Sequence, residues 1–344
     1  MAPHDDATAR PRTATLKDVA QLAGVSIATA SKALNGRDNV HPDTRRRVVE
    51  AAERISFTPN QLARSIVAKQ TGTIGLLTHD LEGRFSIPIL MGAEDAVGAG
   101  QMSVFLCDAR GDSIREQYHL KALLSRRVDG LIVVGGRTDP RPSIGRALPV
   151  PVVYAYAPSL DPADCSVIPD NTSAGSLAVQ HLVSTGRRRI AHVSGDVTYL
   201  AARERAAGAV HALAGAGLEL AGGEVLYGSW SEAWGRSAAH TLLERDPEID
   251  AILCGSDLIA RGVLETLRDR AVDVPHAVAV MGFDNWDVLV SGARPPLTSV
   301  DMNFEALGRR AALRLLESIA GEHHSGVEQL DCRVVVRGST AFDG

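Results

Sequence analysis

Aromatic residues make up only 4% of this 344-residue chain, and its four cysteines, Cys107, Cys165, Cys254 and Cys332, are too widely spread for a C-x-x-C pair or a Cys/His metal spacing. A disulfide-stapled scaffold and a zinc module are thereby excluded, and the cysteines read as free thiols in a reducing compartment. No apolar run approaches the roughly 20 residues needed to span a bilayer. The first fifteen residues contain Asp5 and Asp6 and no apolar core of signal-peptide length. The expected location is the cytoplasm, with no membrane partner. The short patterns of common chemistries are missing too: no phosphate-binding glycine loop after a strand, no H-E-x-x-H and no nucleophile elbow. GLIVVGG has glycines without the G-x-G-x-x-G spacing. The expectation is a protein that is not an enzyme and needs no cofactor or metal. Carboxylates such as Asp257 and Asp284 could flank a glycosidic bond, but nothing beside them supports hydrolysis.

What is present is unevenly distributed. Residues 1–70 carry eleven Lys and Arg against seven Asp and Glu, a surplus of +4, while the whole chain is at −5 and the remainder therefore at −9. A basic head on an acidic body points to local binding of nucleic acid rather than indiscriminate coating. The 45% hydrophobic content and the length allow more than one domain.

Within residues 15–70, Leu16, Val19, Ala20 and Ala23 fall at helical spacing, and Thr15 with Asp18 has the form of a capping box. Gly24 then offers the positive φ that a helix exit needs, Val25 can anchor the turn, and Ser26 can cap a second helix over residues 27–34, bounded by Asn35 and Gly36. This is a helix-turn-helix pattern, in which the N-terminal residues of the second helix meet base edges in the major groove: Ile27 and Ala28, with Ser31 and Lys32. Neither Ile27 nor Ala28 can hydrogen-bond a base, so their readout would be apolar, as against thymine methyls. A third helix is expected over residues 43–55, with Val48, Ala51, Ala52 and Ile55 on one face and Arg45, Arg46 and Arg47 near its start. The plainer alternative is a small bundle with a solvated arginine face.

After Gln70, short apolar runs alternate with helical stretches. Strands are expected at 73–79, 103–109, 129–136 and 150–157, then at 188–196, 223–229, 249–257 and 276–285, with a closing strand at 333–340. The helices between them fall at 88–99, 113–126, 174–185, 203–216, 234–245, 259–270 and 304–320. Such alternation specifies parallel sheets covered by helices, and its restart midway indicates two lobes. Residues 167–171 and 297–301 read as crossovers between them. Ligands bind in clefts at strand carboxyl ends. There the chain places Tyr154 and Tyr156, Asp196 and Tyr199, Ser229 and Trp230, Ser256 and Asp257, and Asp284, Asn285 and Trp286. Aromatic faces suit sugar C–H surfaces, and Asp, Asn and Arg suit hydroxyls. Each residue taken singly has a structural reading as a cap, an edge contact or a surface charge. His323 and His324 lie in a polar stretch and read as solvated.

The segments TLKDVAQLAGVSIATASKALN and VHPDTRRRVVEAAERISFTPNQLARSI closely resemble the DNA-binding head of the lactose and galactose repressor family of bacterial transcription regulators. IPDNTSAGSLAVQHLVSTGRRRIAHVSGD, ARERAAG, MGFDN and RPPLTSVDMN resemble the effector-binding core of the same family. The resemblance implies an all-α helix-turn-helix head followed by an α/β two-lobed, periplasmic-binding-protein-like parallel-sheet effector domain. The implied division is a disordered tail at 1–14, a DNA-binding domain at 15–58, a hinge helix and linker at 59–71, and an effector-binding and dimerisation domain at 72–344. Within the effector domain the N-terminal lobe would take residues 72–170 with 301–330, and the C-terminal lobe 171–300 with 331–344.

By resemblance, DNA contacts would fall on Thr15, Leu16, Ser26, Ile27, Ala28, Thr29, Ser31, Lys32 and Asn35. The hinge would add Asn60, Ala63, Arg64 and Ile66, with Ile66 where the family has a wedging leucine. His41 stands where a capping serine is usual. Arg205 would clamp ligand hydroxyls with Asp284 as its acidic partner, Trp230 would stack on a ring, and Ser256 would make a polar contact. Tyr156 stands where sugar-binding members often have a carboxylate. Phe85, Tyr199, Asp257 and Trp286 complete the expected effector set. The implied partners are double-stranded DNA with a near-palindromic operator, a sugar or sugar derivative, and a second copy of the chain in a homodimer, with a tetramer as a further assembly. A sugar-binding uptake receptor is the competing reading, against which stand the basic head and the missing export signal.

Overall fold

The computed structural model describes residues 14–34, 40–55, 57, 70–80, 85–98, 102–145 and 147–341. Asn35 and the expected hinge residues Asn60, Ala63, Arg64 and Ile66 lie outside them. The chain divides into two compact units, Met1–Thr71 and Gly72–Gly344.

The head contains α1 (Leu16–Ala23), α2 (Ile27–Leu34) and α3 (Pro42–Arg54). Local chemistry fixes each boundary. The Thr15 backbone N–H donates to Asp18 Oδ2 at 2.8 Å while the Asp18 N–H donates back to Thr15 Oγ1, which completes the capping box. Gly24 closes α1 in the left-handed region at φ 66°. The Thr29 N–H donates to Ser26 Oγ at 3.0 Å, opening α2. The cap of α3 is His41, whose ring nitrogen accepts from the Asp43 N–H at 3.4 Å, so imidazole takes the acceptor role of the expected serine and Pro42 fills the first turn. The core beneath is made of Val19, Ala20, Ala23, Ala30, Ala33, Val48, Ala51 and Ala52. Side chains this small let the three helices approach closely.

The second unit contains two six-stranded sheets. The first lobe holds β1 (Thr73–Thr78), α4 (Ser86–Val97), β2 (Ser103–Asp108), α5 (Ser113–Ser125), β3 (Gly130–Val134), β4 (Val152–Ala155) and β5 (Cys165–Pro169). The second begins with α6 (Asn171–Ser184), β6 (Ile190–Ser194), α7 (Leu200–Gly215), β7 (Leu226–Tyr227) and α8 (Glu232–Arg245). It continues through β8 (Ala251–Cys254), α9 (Asp257–Asp269), β9 (Ala279–Phe283), α10 (Asp287–Val290) and β10 (Thr298–Asp301). The chain then returns with α11 (Phe304–Ile319) and β11 (Gly326–Leu330) to the first sheet and ends with β12 (Arg333–Val335) in the second. The strand orders are β11-β5-β4-β3-β1-β2 and β12-β10-β9-β8-β6-β7, and every pairing is parallel except β12 against β10.

Two segments expected as crossovers are therefore mainly strand. Residues 167–171 contain the end of β5 and the start of α6, and residues 297–301 contain β10. The crossovers are shorter and bound to one another. Asp301 Oδ2 takes two donors from Arg333 at 3.0 and 2.8 Å, the Asp170 N–H donates to the Leu330 carbonyl at 3.1 Å, and Cys332 Sγ reaches the Asp170 carbonyl at 3.7 Å.

Helices within each lobe cross on paired glycines. A β-carbon on Gly92 of α4 would lie 1.8 Å from the Glu305 carbonyl oxygen, and one on Gly308 of α11 1.9 Å from that of Ile89. Gly175 and Gly208 do the same for α6 and α7 (2.1 and 1.9 Å), as do Gly235 and Gly262 for α8 and α9 (2.1 and 2.0 Å). At each crossing backbone meets backbone, which no other residue type permits.

Candidate functional site

The head presents one face of α2. Ala30 and Ala33 are buried, which turns Ser26, Ile27, Ala28 and Lys32 outward, and Ile27 is half exposed although it is a large apolar residue. The start of α2 thus carries exposed apolar surface. Thr15 is exposed, Ser31 is partly so, and the Thr29 hydroxyl lies 2.8 Å from Ser26 Oγ. Leu16 is partly buried and packs against the head core.

In the second unit the expected effector residues separate into two walls. On the first lobe Tyr156, just beyond β4, is buried with φ 72°. Its ring centroid is 4.9 Å from that of Phe85, which lies 4.9 Å from Phe304, and the Tyr156 and Phe304 rings meet edge to face at 5.7 Å. The scarce aromatic residues are thus concentrated here. Phe304 was not among the expected contacts, because at the start of a long amphipathic helix it looks like core.

The opposite wall is built around Arg205 on α7, whose side chain is 3% exposed. Its Nε donates to Asn171 Oδ1 at 3.0 Å, one terminal nitrogen to the Gly255 carbonyl at 2.7 Å, and the other to Asp284 Oδ1 at 3.3 Å. Its guanidinium also lies over the Phe283 ring at 4.7 Å. Asp284 and Asn285 both have positive φ, at 99° and 53°, directly after β9. Two consecutive non-glycine residues in that region are uncommon and are held by their surroundings. The Asp284 N–H donates to the Val300 carbonyl (2.9 Å), the Asn285 N–H to Ser299 Oγ (3.0 Å), and Arg337 donates to Asn285 Oδ1 (2.8 Å). Trp230 lies against Gly195, where a β-carbon would be 2.2 Å from the indole, and meets Tyr199 edge on at 5.6 Å. Trp230 Nε1 and Ser194 Oγ are buried without a hydrogen-bond partner among the described residues. A hydroxylated ligand could satisfy such atoms.

Ser256 and Asp257 do not join this wall. Ser256 Oγ caps α9 by accepting from the Ile259 N–H, and fully buried Asp257 accepts from Ser299 Oγ at 2.6 Å and from the Trp286 N–H at 2.9 Å. They brace the turn that carries Asp284. A serine and an aspartate after a strand look alike in sequence whether they cap the next helix or face a ligand. Trp286 is 40% exposed and borders a cavity of about 340 Å³. Asp284, Asn285 and Arg333 line it from one lobe and Pro88, Phe304 and Glu305 from the other, so residues of both walls meet at one space. Asn171 was missed because its segment read as crossover. His324 is not simply solvated: its Nε2 pairs with Glu317 at 2.9 Å.

Two buried titratable groups lie elsewhere in this unit. Burial would raise the Glu116 pKa, but hydrogen bonds from His79 and Arg141 outweigh it and hold the carboxyl down at about 2. His192 on β6 is fully buried, with neither ring nitrogen hydrogen-bonded among the described residues, and burial with the nearby Arg205 charge pushes it down to about 4.

A helix-turn-helix head followed by a two-lobed α/β body defines a DNA-binding transcription regulator. Residues 15–60 match the bacterial regulatory proteins of the lacI family, and residues 71–336 match the periplasmic binding proteins and sugar binding domain of the LacI family. The chain belongs to the LacI family. It is 36% identical to the HTH-type transcriptional regulator CelR of Thermobifida fusca over 338 residues (96% of this chain, 99% of the relative). It is 33% identical to catabolite control protein A of Priestia megaterium over 330 residues (95% and 99%). Among solved structures it resembles a CelR–cellobiose complex (TM-score 0.64, 31% identity, covering 96% of this chain and 100% of that one). It also resembles the lac repressor dimer bound to operator and the anti-inducer ONPF (TM-score 0.74, 27% identity, 96% and 99%). No described helix is long and apolar enough to cross a membrane.

Proposed function

We propose that this regulator is a cytoplasmic repressor without catalytic activity, acting as a twofold dimer, whose operator affinity is set by a small carbohydrate-like ligand held between the lobes. The observation that carries this reading is a cavity between the lobes that is lined by Phe304, which packs against Phe85 and Tyr156, and by Asp284, which pairs with the buried Arg205. A sugar has both kinds of surface. That relatives include CelR, solved with cellobiose, and the lac repressor, solved on operator, supports the pairing of sugar with DNA. Ser26, Ile27, Ala28 and Lys32 would read the major groove, and the hinge expected around Ile66 would add a minor-groove wedge. The outward Ile87 and Met91 of α4 offer apolar surface for the second copy.

Ligand binding would rotate the lobes and weaken the grip of the paired heads, and by linkage operator DNA would weaken ligand binding by the same factor, a coupling of about 1–3 kcal/mol. The test is a thermal-shift screen of mono- and disaccharides, each hit then titrated against operator binding by fluorescence anisotropy. A hit that shifts operator affinity is expected, and Arg205→Ala should abolish the response while leaving DNA binding intact. Operator affinity that stays constant across the whole panel would sink the reading for sugars.

A further inference from the structure

The strongest unexplained feature is a short loop after β3 that reaches from the first lobe onto the helix carrying Arg205. Asp139 accepts the Leu200 N–H with both carboxylate oxygens, at 3.2 and 3.3 Å, and lies 3.9 Å from the Arg203 guanidinium. Leu200 is the first residue of α7, and Tyr199, its N-cap, makes no side-chain capping bond of its own. The cap is thus supplied by the other lobe. Two residues earlier, the Arg137 guanidinium lies 4.1 Å over the Tyr199 ring. Both contacts cross the cleft, and both land on the end of the helix whose sixth residue is Arg205.

The loop is braced at both ends. The Gly135 N–H donates to the Ala155 carbonyl at 3.1 Å, and a β-carbon on Gly135 would lie 2.2 Å from that of Ala157. At the far end the Arg141 N–H donates to the Pro158 carbonyl at 2.9 Å, and the Arg141 side chain is held by Glu116 at 2.7 Å and by His79 Nε2 at 2.7 Å. This ion cluster is mostly buried. It makes sense as an anchor that stops the loop from following α7 when the lobes separate.

We infer that Asp139 is a positioning residue: it caps α7 across the cleft and, with Arg137 on Tyr199, latches the two lobes in the arrangement that sets the Arg205 wall opposite the aromatic wall of the first lobe. Its consequence for ligand affinity rests on the function proposed above, while the latch itself rests only on contacts within the chain. An exposed ion pair contributes little, so the hydrogen bond from the Leu200 N–H and the ring contact carry the effect.

The test uses the full-length, ligand-free protein. Hydrogen exchange is read at the Leu200 amide. Lobe separation is read by pulsed electron resonance between labels at Lys121→Cys and Glu219→Cys in a Cys107→Ser background, with labelled protomers diluted in unlabelled ones. Asp139→Ala should speed Leu200 exchange about tenfold, the equivalent of losing one helix cap, and lengthen and broaden the interlobe distance. Asp139→Asn, which keeps an acceptor oxygen, should stay close to the parent in both. Arg137→Met should lengthen the distance less and leave Leu200 protected, and it serves as the folded control if Asp139→Ala proves unstable. Simple fraying of α7 would speed exchange without moving the lobes, so an unchanged distance in Asp139→Ala overturns the latch. Equal loss in Asp139→Asn overturns the capping assignment. Failure of every sugar to bind the parent would sink the proposed function and leave these readouts standing.

Discussion

The two lobes share a sheet order and differ in what they bring to the cleft. The first offers three rings in mutual contact, the second a buried arginine held at three corners by an amide oxygen, a backbone carbonyl and a carboxylate. An aromatic wall is tolerant, because any apolar face can lie on it. A guanidinium with fixed donors is exacting, because a ligand must match its geometry or leave it unpaired. Affinity should therefore rest on the first lobe and discrimination on the second.

The largest expected effect comes from breaking the exacting wall. Arg205→Met removes the cation from beside the buried Asp284 carboxylate and should cost about 3–5 kcal/mol in denaturant unfolding, together with all ligand response. Adding Asp284→Leu should restore much of the stability and none of the response by calorimetry. Acid sharpens the contrast next. Glu116 in the first lobe has its folded pKa lowered to about 2, so the stabilisation it gives is full above its ordinary 4.5 and is lost as pH falls toward 2. The loss is on the order of 3 kcal/mol. Glu116→Gln should flatten that part of a pH series of urea melts.

His192 in the second lobe acts in a higher window. It stays neutral in the fold down to about 4 while an unfolded histidine takes up a proton below 6.5, so stability falls as pH drops from 6.5 toward 4. His192→Leu removes a buried ring whose nitrogens have no hydrogen-bond partner among the described residues, and it should raise stability at pH 5 by about 1–3 kcal/mol, removing the upper slope and sparing the lower one. The smallest effect is expected from the tolerant wall. Phe85→Leu keeps much of the volume but removes a ring face, so stability should change by less than about 1.5 kcal/mol. Affinity for a sugar hit should fall only about tenfold by titration, which corresponds to roughly 1.4 kcal/mol.

How much of this was legible in sequence differs by region. In the head, structure follows from neighbours three or four residues apart, so Thr15 with Asp18, Gly24 and Ser26 marked the boundaries. The long body helices were visible by their period. The strands β5, β10 and β11 were missed, since they are only four or five residues long, and β11 is an edge strand with a mixed polar sequence. Residue resemblance put Arg205 and Asp284 in one site, and the structure brings them together across 79 positions. Asn171 and Asp139 had no such signal: their roles depend on which helix end the tertiary fold places opposite them. Ser256 and Asp257 show the reverse case: both carry hydrogen bonds that brace the start of α9 and the turn after β9, which their place after a strand did not distinguish from a ligand contact.

The paired glycines have a consequence for how such a chain can acquire a new ligand. Where Gly175 and Gly208 seat α6 on α7 backbone to backbone, any added methyl group would have to push the helices apart, and Arg205 would move with α7. Inherited variation at those crossings is closed, whereas the rings of the first lobe and the small polar groups around Trp230 can be exchanged without disturbing the frame. New specificity in this lineage should therefore arise by repainting the walls, with the helices that bear them left where they are.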